Sequence, residues 1–354
     1  MRVLLFSIAI TIWSISAVAQ GIDSRNAASR PTAHVTPHDS QVVAKAAVQR
    51  GLQFVRKNGE RWMTKRGCVS CHQIPSLLWS HSVALQSGYD VERKMLRQWE
   101  DWSTQIVNFV KPAKKKDFVP DETMTANIDT MTHLLLAIPH RTHDQSQTNI
   151  DDGWRTRFVE HLSAAQRDDG SWNPCGQLPA QKRTLKETTA TTTAWTAIAL
   201  MRNNGSFDEQ AATTLIDAID NPESTEFLAA KSLLLQQQRA DKTKLQFAAR
   251  QLLNAQNSDG GWGWRLDANS DALGTGIAMY ALATNRDHPD VADENETTKS
   301  IQRGTEFLLS TQRENGSWSV PGTKRNVKDK PTPTAGDWGT AWAVLALATS
   351  QPDD

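Results

Sequence analysis

The stretch "RGTEFLLSTQRENGSW", Arg303 to Trp318, starts as a helix and ends on a marked turn. Phe307 and Leu308 begin an apolar pattern. Then come Gln312, three residues, Gly316, one residue and Trp318. Two other stretches superimpose on it without gaps: "FVEHLSAAQRDDGSW" (Phe158–Trp172) and "AARQLLNAQNSDGGW" (Ala248–Trp262). Their anchors are Gln166, Gly170 and Trp172, and Gln256, Gly260 and Trp262. The Asp-Gly and Asn-Gly region of each copy predicts a glycine that ends the helix in the left-handed conformation.

A second helix follows each turn. "TTTAWTAIAL" (Thr191–Leu200), "GTGIAMYALA" (Gly274–Ala283) and "GTAWAVLALA" (Gly339–Ala348) are apolar nearly all round, the pattern of a buried helix. The first helices are amphipathic. The repeat unit is therefore an outer helix, a Q-x-x-x-G-x-W turn and an inner helix. The remaining chain holds three more hairpins without the full turn: residues 42–88, 92–138 and 207–238. Six hairpins stacked in a ring bury all six inner helices and need no end caps, unlike an open solenoid. The expected fold is an all-α, α/α toroid over residues 43–350. A long loop, Val320–Asp337, precedes the last inner helix.

The resemblance follows from the turn. Residues 303–318 match the QW motif of squalene/hopene cyclases at each defined position: basic, small, aromatic, aliphatic, Gln, Gly and Trp. In the second copy Gln251 stands where the aromatic belongs. The chain thus resembles the terpenoid cyclase and prenyltransferase toroids, and the resemblance implies that Gln and Trp tie neighbouring helices together. It does not bring the chemistry with it. The D-x-D-D acid of those cyclases is missing; "ANIDTM" keeps only Asp129 and Thr130 of such a pattern, and Asp151-Asp152 falls in a linker. The Cys175-Gly176-Gln177 run is one residue too short for the thioester sequence of complement-type toroids.

Bulk properties bound the rest. An apolar run behind Met1-Arg2 ends in Ala17-Val18-Ala19, which predicts a signal peptide over residues 1–19 and an exported, periplasmic or secreted protein. Residues 20–42 read as a flexible linker. No later run reaches the ~20 apolar residues of a spanning helix. Lys and Arg number 39 and Asp and Glu 39, so nothing implies a nucleic-acid partner.

Acids near the inner-helix starts are the catalytic candidates: Asp129, Asp271 and Asp337. Glu187 stands similarly. An acid there can instead cap free N–H groups. Cys68-Val69-Ser70-Cys71-His72 reads C-x-x-C-H, the attachment signature of haem c. On that reading Cys68 and Cys71 are the tethers and His72 an axial ligand, with His81, His133, Met63 or Met124 opposite. A zinc site of His72 and Cys175 with Cys68 and Cys71 is an alternative, and a Cys68–Cys71 disulfide another. His140, His143 and His161 read as surface residues. Two functions remain open. One is a haem protein with a redox or sensing role and a redox partner. The other is a non-redox enzyme or binding protein for an apolar or carbohydrate ligand in the toroid cavity.

Overall fold

The computed structural model describes residues 37–70, 72–140, 153–284 and 294–350. The expected signal peptide, residues 20–36, Cys71, His143 and the Asp151-Asp152 pair lie outside them. Among the described residues the chain is helical, with only isolated β-bridges, and no helix is long and apolar enough to cross a membrane.

The outer helices are α1 (Pro37–Arg66), α3 (Arg93–Ser103), α6 (Gly153–Ala164), α8 (Glu209–Asp217), α10 (Lys242–Asn254) and α12 (Glu294–Thr311). The inner helices are α2 (Ile74–Gln86), α5 (Ile128–Ala137), α7 (Leu185–Arg202), α9 (Thr225–Gln237), α11 (Ala272–Thr284) and α13 (Pro333–Thr349). A short helix, α4 (Pro120–Thr125), joins α3 to α5. Each inner helix packs on the next, and α13 packs back on α2. The ring is closed, so the six-hairpin α/α toroid is the fold. Each outer helix lies chiefly against the inner helix of the preceding hairpin.

The inner ring is tight because its helices are lined with small residues. Every residue of α11 from Ala272 to Ala283 is buried. A Cβ on Gly276 would stand 2.6 Å from the Trp342 carbonyl oxygen, so glycine is what lets α11 and α13 approach.

Each part of the repeated turn has a distinct task. The indoles of Trp172, Trp262 and Trp318 donate to the carbonyls of Leu162, Leu252 and Leu308, at 2.7, 2.8 and 2.8 Å. These carbonyls belong to the last turns of the outer helices, where the regular helical donors run out. The amides of the same tryptophans donate to Thr193, Thr275 and Thr340 on the inner helices. Tryptophan thus joins the two helices of its own hairpin. Glutamine joins hairpins: Gln166 reaches Asp208 at the start of α8, Gln256 reaches Ser300 on α12, and Gln312 reaches Ala47 on α1. The last of these bonds closes the ring.

The glycine expectation needs correction. The outer helices end at Ala164, Asn254 and Thr311, several residues before Gly170, Gly260 and Gly316. These glycines are left-handed, with φ of 82°, 87° and 82°, but they sit in the following turn. There they press on the next outer helix: a Cβ on Gly260 would lie 2.7 Å from the Arg303 carbonyl oxygen. Two boundaries also move. Helix α1 begins at Pro37, inside the stretch read as a linker. Helix α13 begins at Pro333, capped by the Thr332 hydroxyl, inside the stretch read as a loop.

Candidate functional site

Every inner helix follows an outer one, so the six inner helices run parallel and their N-termini share one end of the ring. At that end a cavity of about 1100 Å³, counting its open mouth, sinks between the inner helices. Its floor is aromatic. Trp79 of α2 packs against Trp195 of α7 at 5.9 Å, Trp342 of α13 at 5.2 Å and Tyr280 of α11 at 5.7 Å between ring centres. His133 of α5 touches the same cluster. One aromatic ring from each of five inner helices therefore plugs the barrel axis below the cavity.

The walls are polar. Asp129, at the start of α5, is buried. One of its carboxylate oxygens accepts from the Thr192 hydroxyl at 2.8 Å, and the other from the Cys175 amide at 2.6 Å. Burial pushes its carboxyl above the ordinary range, and the Glu226 carboxylate pushes the same way, against the hydrogen bonds and His133. Glu226, in the first turn of α9, pairs with Arg183 at 3.1 Å, both buried. The Trp264 indole also donates to Glu226, at 3.2 Å. His133 Nδ1 lies 2.7 Å from the backbone oxygen of Asp129. A carbonyl only accepts, so Nδ1 carries the hydrogen, and in the neutral ring Nε2 is the acceptor.

The roof is the segment between Trp318 and α13. Gly322, Thr323, Lys324 and Val327 line the cavity from above. This strap starts from the sixth hairpin and pairs with residues 180–182 of the third, directly across the six-membered ring. The Lys182 amide donates to Thr323 at 2.8 Å and the Arg325 amide to Ala180 at 3.0 Å, framing the Gln181–Lys324 bridge.

The three candidate acids separate. Asp129 lines the cavity. Asp271 is buried at the start of α11, where it accepts from the amides of Trp264, Leu273 and Gly274. It is a helix cap, and burial pushes it up to about 6. Asp337 faces a different groove, between α1 and α13, and accepts from Asn58 at 2.6 Å. Asp271 and Asp337 therefore have structural surroundings outside the cavity. Glu187 likewise accepts from Ser224 and the Glu223 amide at the start of α9. Sequence reading passed over Glu226 and Arg183. Glu226 carries the signal that singled out Asp271, an acid at an inner-helix start, but its hairpin lacks the turn motif.

Of the cysteine motif, Cys68 and His72 lie among the described residues. His72 lines the cavity, and enclosure by protein, with Lys324 and His133 nearby, pushes its imidazole down to about 4. Cys68 is buried but does not line the cavity; burial raises its thiol, with Lys111, Arg66 and Lys115 beside it. A haem c needs both thioether sulfurs and the histidine around one porphyrin. His72 lines the cavity and Cys68 does not, and Cys71, the second tether, lies outside the described residues. Of the possible opposite ligands, only His133 lines the cavity. The zinc set is also not assembled: no three His, Cys, Asp or Glu side chains among the described residues could hold a metal. Cys68 and Cys175 are free thiols, and burial followed by Asp129 pushes Cys175 up to about 11.

A pH effect follows from the buried His81. His81, packed edge-on against Trp99 at 5.1 Å, is pushed down to about 4 by burial, as His72 is. A depressed histidine contributes stability that is present above its unfolded value of roughly 6.5 and is lost as pH falls toward the folded value. Asp271, raised to about 6, works with the opposite sign. Comparison of wild type with His81→Gln isolates the histidine. The stability difference between the two should shrink as pH drops from 7 to 4.5, and ring-proton NMR should show His81 neutral at pH 5.5. Titration of its ring near 6.5 would contradict the burial argument.

Comparison with known proteins agrees with this architecture. No protein-family model matches the chain. A squalene–hopene cyclase of Bradyrhizobium diazoefficiens is 40% identical over 93 residues, covering 23% of this chain and 13% of that protein. The chain thus matches only a small part of the cyclase's length. Solved structures match over nearly all of it. An unsaturated glucuronyl hydrolase specific for heparin gives a TM-score of 0.56 at 9% identity, covering 88% of this chain and 97% of its own. The GH76A alpha-1,6-mannanase of Salegentibacter sp. HEL1_6 gives 0.54 at 15%, covering 88% and 99%. A possible GH105 member from Salmonella enterica gives 0.52 at 14%, covering 94% and 98%. At these identities the likeness is one of fold.

Proposed function

We propose that the chain is an enzyme acting on a carbohydrate held in the mouth cavity, with Asp129 as general acid. The observation that carries this reading is a buried carboxyl on the wall of a cavity that offers an aromatic floor and polar sides. A sugar ring has apolar C–H faces and hydroxyl edges, and this cavity complements both. A pure hydrocarbon fits worse. It would strip water from Arg183, Glu226, Asp129 and Lys324 and return no hydrogen bonds.

The roles follow from environment. Burial raises the proton affinity of Asp129, the direction a general acid needs to donate to a bridging oxygen. Glu226 faces the same cavity, held by Arg183 and Trp264, and is placed to take a proton from water. Thr192 and the Cys175 amide fix the Asp129 carboxyl in one orientation. The named toroid hydrolases lend support, since a mannanase and a glucuronyl hydrolase act on glycans with this fold. The signal sequence pattern fits an exported enzyme that meets such substrates outside the cell.

The reading is tested by incubating the full chain with a panel of neutral and acidic oligosaccharides, measuring released reducing ends and binding heat. Product from at least one class is expected. If folded protein neither binds nor cleaves any glycan, the reading falls. Haem attachment is checked on the same preparation after expression in a host that matures c-type haem. A Soret band surviving acid–acetone extraction would put the haem reading in its place.

A further inference from the structure

Two carboxyls, Asp129 and Glu226, and two permanent cations, Arg183 and Lys324, line the cavity, and the two cations differ in how they are held. Arg183 is matched by Glu226 at 3.1 Å. Asp129 is engaged by Thr192 and the Cys175 amide. Lys324 lines the same space, half-buried, and has no carboxylate partner among the described residues. Its charge is felt inside, where it helps hold His72 neutral.

Basic residues continue along the strap from Lys324. The strap carries Lys324, which lines the cavity, and the exposed Arg325, Lys328 and Lys330, against a single acid, Asp329, which Lys182 already engages at 3.0 Å. The whole chain has no net charge, so the four basic residues against one acid over residues 324–330 are a local feature of the strap, one that attracts anions from solution. The positive ends of the six inner helices point the same way.

We infer that the ligand is an acidic glycan, with one of its anionic groups bound by Lys324 inside the cavity and the rest of the chain lying along the basic strap. This rests on the carbohydrate reading of the cavity and narrows it to a polyanion. An ammonium in a partly enclosed site binds carboxylate or sulfate more strongly than hydroxyl. Rim charges act mainly through salt-sensitive steering.

The test uses the full chain with three probes: oligogalacturonate for carboxylate, heparin fragments for sulfate, and maltooligosaccharide as the neutral control. Binding is measured by calorimetry at 50 and 300 mM salt. The expected result is binding of an acidic probe, weakened by salt, and reduced about tenfold or more in Lys324→Gln. Lys328→Gln with Lys330→Gln should weaken long acidic probes more than disaccharides. Equal binding of neutral and acidic probes would overturn this inference while leaving the carbohydrate reading intact. Acidic binding that Lys324→Gln does not change would also overturn it, as adhesion to the outer surface. Failure of every probe would instead sink the carbohydrate reading beneath it. Thermal melting of each variant guards against loss of fold. The Lys324 backbone bridge survives the substitution, so melting should stay near wild type.

Discussion

Trp318→Ala is expected to destabilise the chain by about 3–5 kcal/mol, the range for deleting a fully buried tryptophan. Trp318 is only 2% exposed. Its indole donates to Leu308 and its amide to Thr340, so it joins α12 to α13. It also lies against Gly51 of α1, where the sixth hairpin meets the first. Removing it opens a cavity at the seam that closes the ring. Urea unfolding followed by circular dichroism checks the value. Trp318→Phe should cost less, because it keeps most of the volume and loses only the indole hydrogen bond to the Leu308 carbonyl, about 1 kcal/mol. Trp172→Ala and Trp262→Ala should fall in the same range as Trp318→Ala, since all three make the same bonds. A cost under 1 kcal/mol for Trp318→Ala would mean that the seam is held by something else.

Asp129→Asn is expected to lower the turnover of glycan by about 10²–10⁴-fold, the usual worth of a positioned acid. The variant should fold. An asparagine oxygen still accepts from the Cys175 amide, and its NH₂ can donate to Thr192. Thr192→Val separates an acid from a merely structural residue. The Thr192 hydroxyl stabilises the ionised carboxyl, so losing it raises the carboxyl further and should move the alkaline limb of the rate profile to higher pH. Unchanged turnover in Asp129→Asn, with melting preserved, would assign Asp129 to structure alone.

The repeat was legible because each of its residues makes a bond that recurs in every copy. Gln166, Gln256 and Gln312 reach the next hairpin, and the paired tryptophan and threonine lock each hairpin internally, so their spacing is constrained. The inner helices were legible because burial on all sides demands an apolar sequence. What escaped was set by tertiary placement. Nothing local in "VPGTKRNVKDKP" says that it crosses the mouth to pair Lys324 with Gln181. The richness of the chain in tryptophan was visible, but the meeting of Trp79, Trp195 and Trp342 on one axis depends on the rotation of three separate helices. The C-x-x-C-H motif is a local pattern whose outcome turns on Cys71, outside the described residues; His72 lines the cavity, while Cys68 is buried near Lys111 and Lys115.

The most direct test of the cavity as the glycan site is a crystal structure of Asp129→Asn soaked with a short oligosaccharide. The expected density is a sugar ring lying on the Trp79 and Trp342 floor, with an inter-sugar oxygen within hydrogen-bond reach of residue 129, about 2.6–3.2 Å. Density found only on the outer surface, or a porphyrin joined to Cys68 and filling the mouth, would contradict the account.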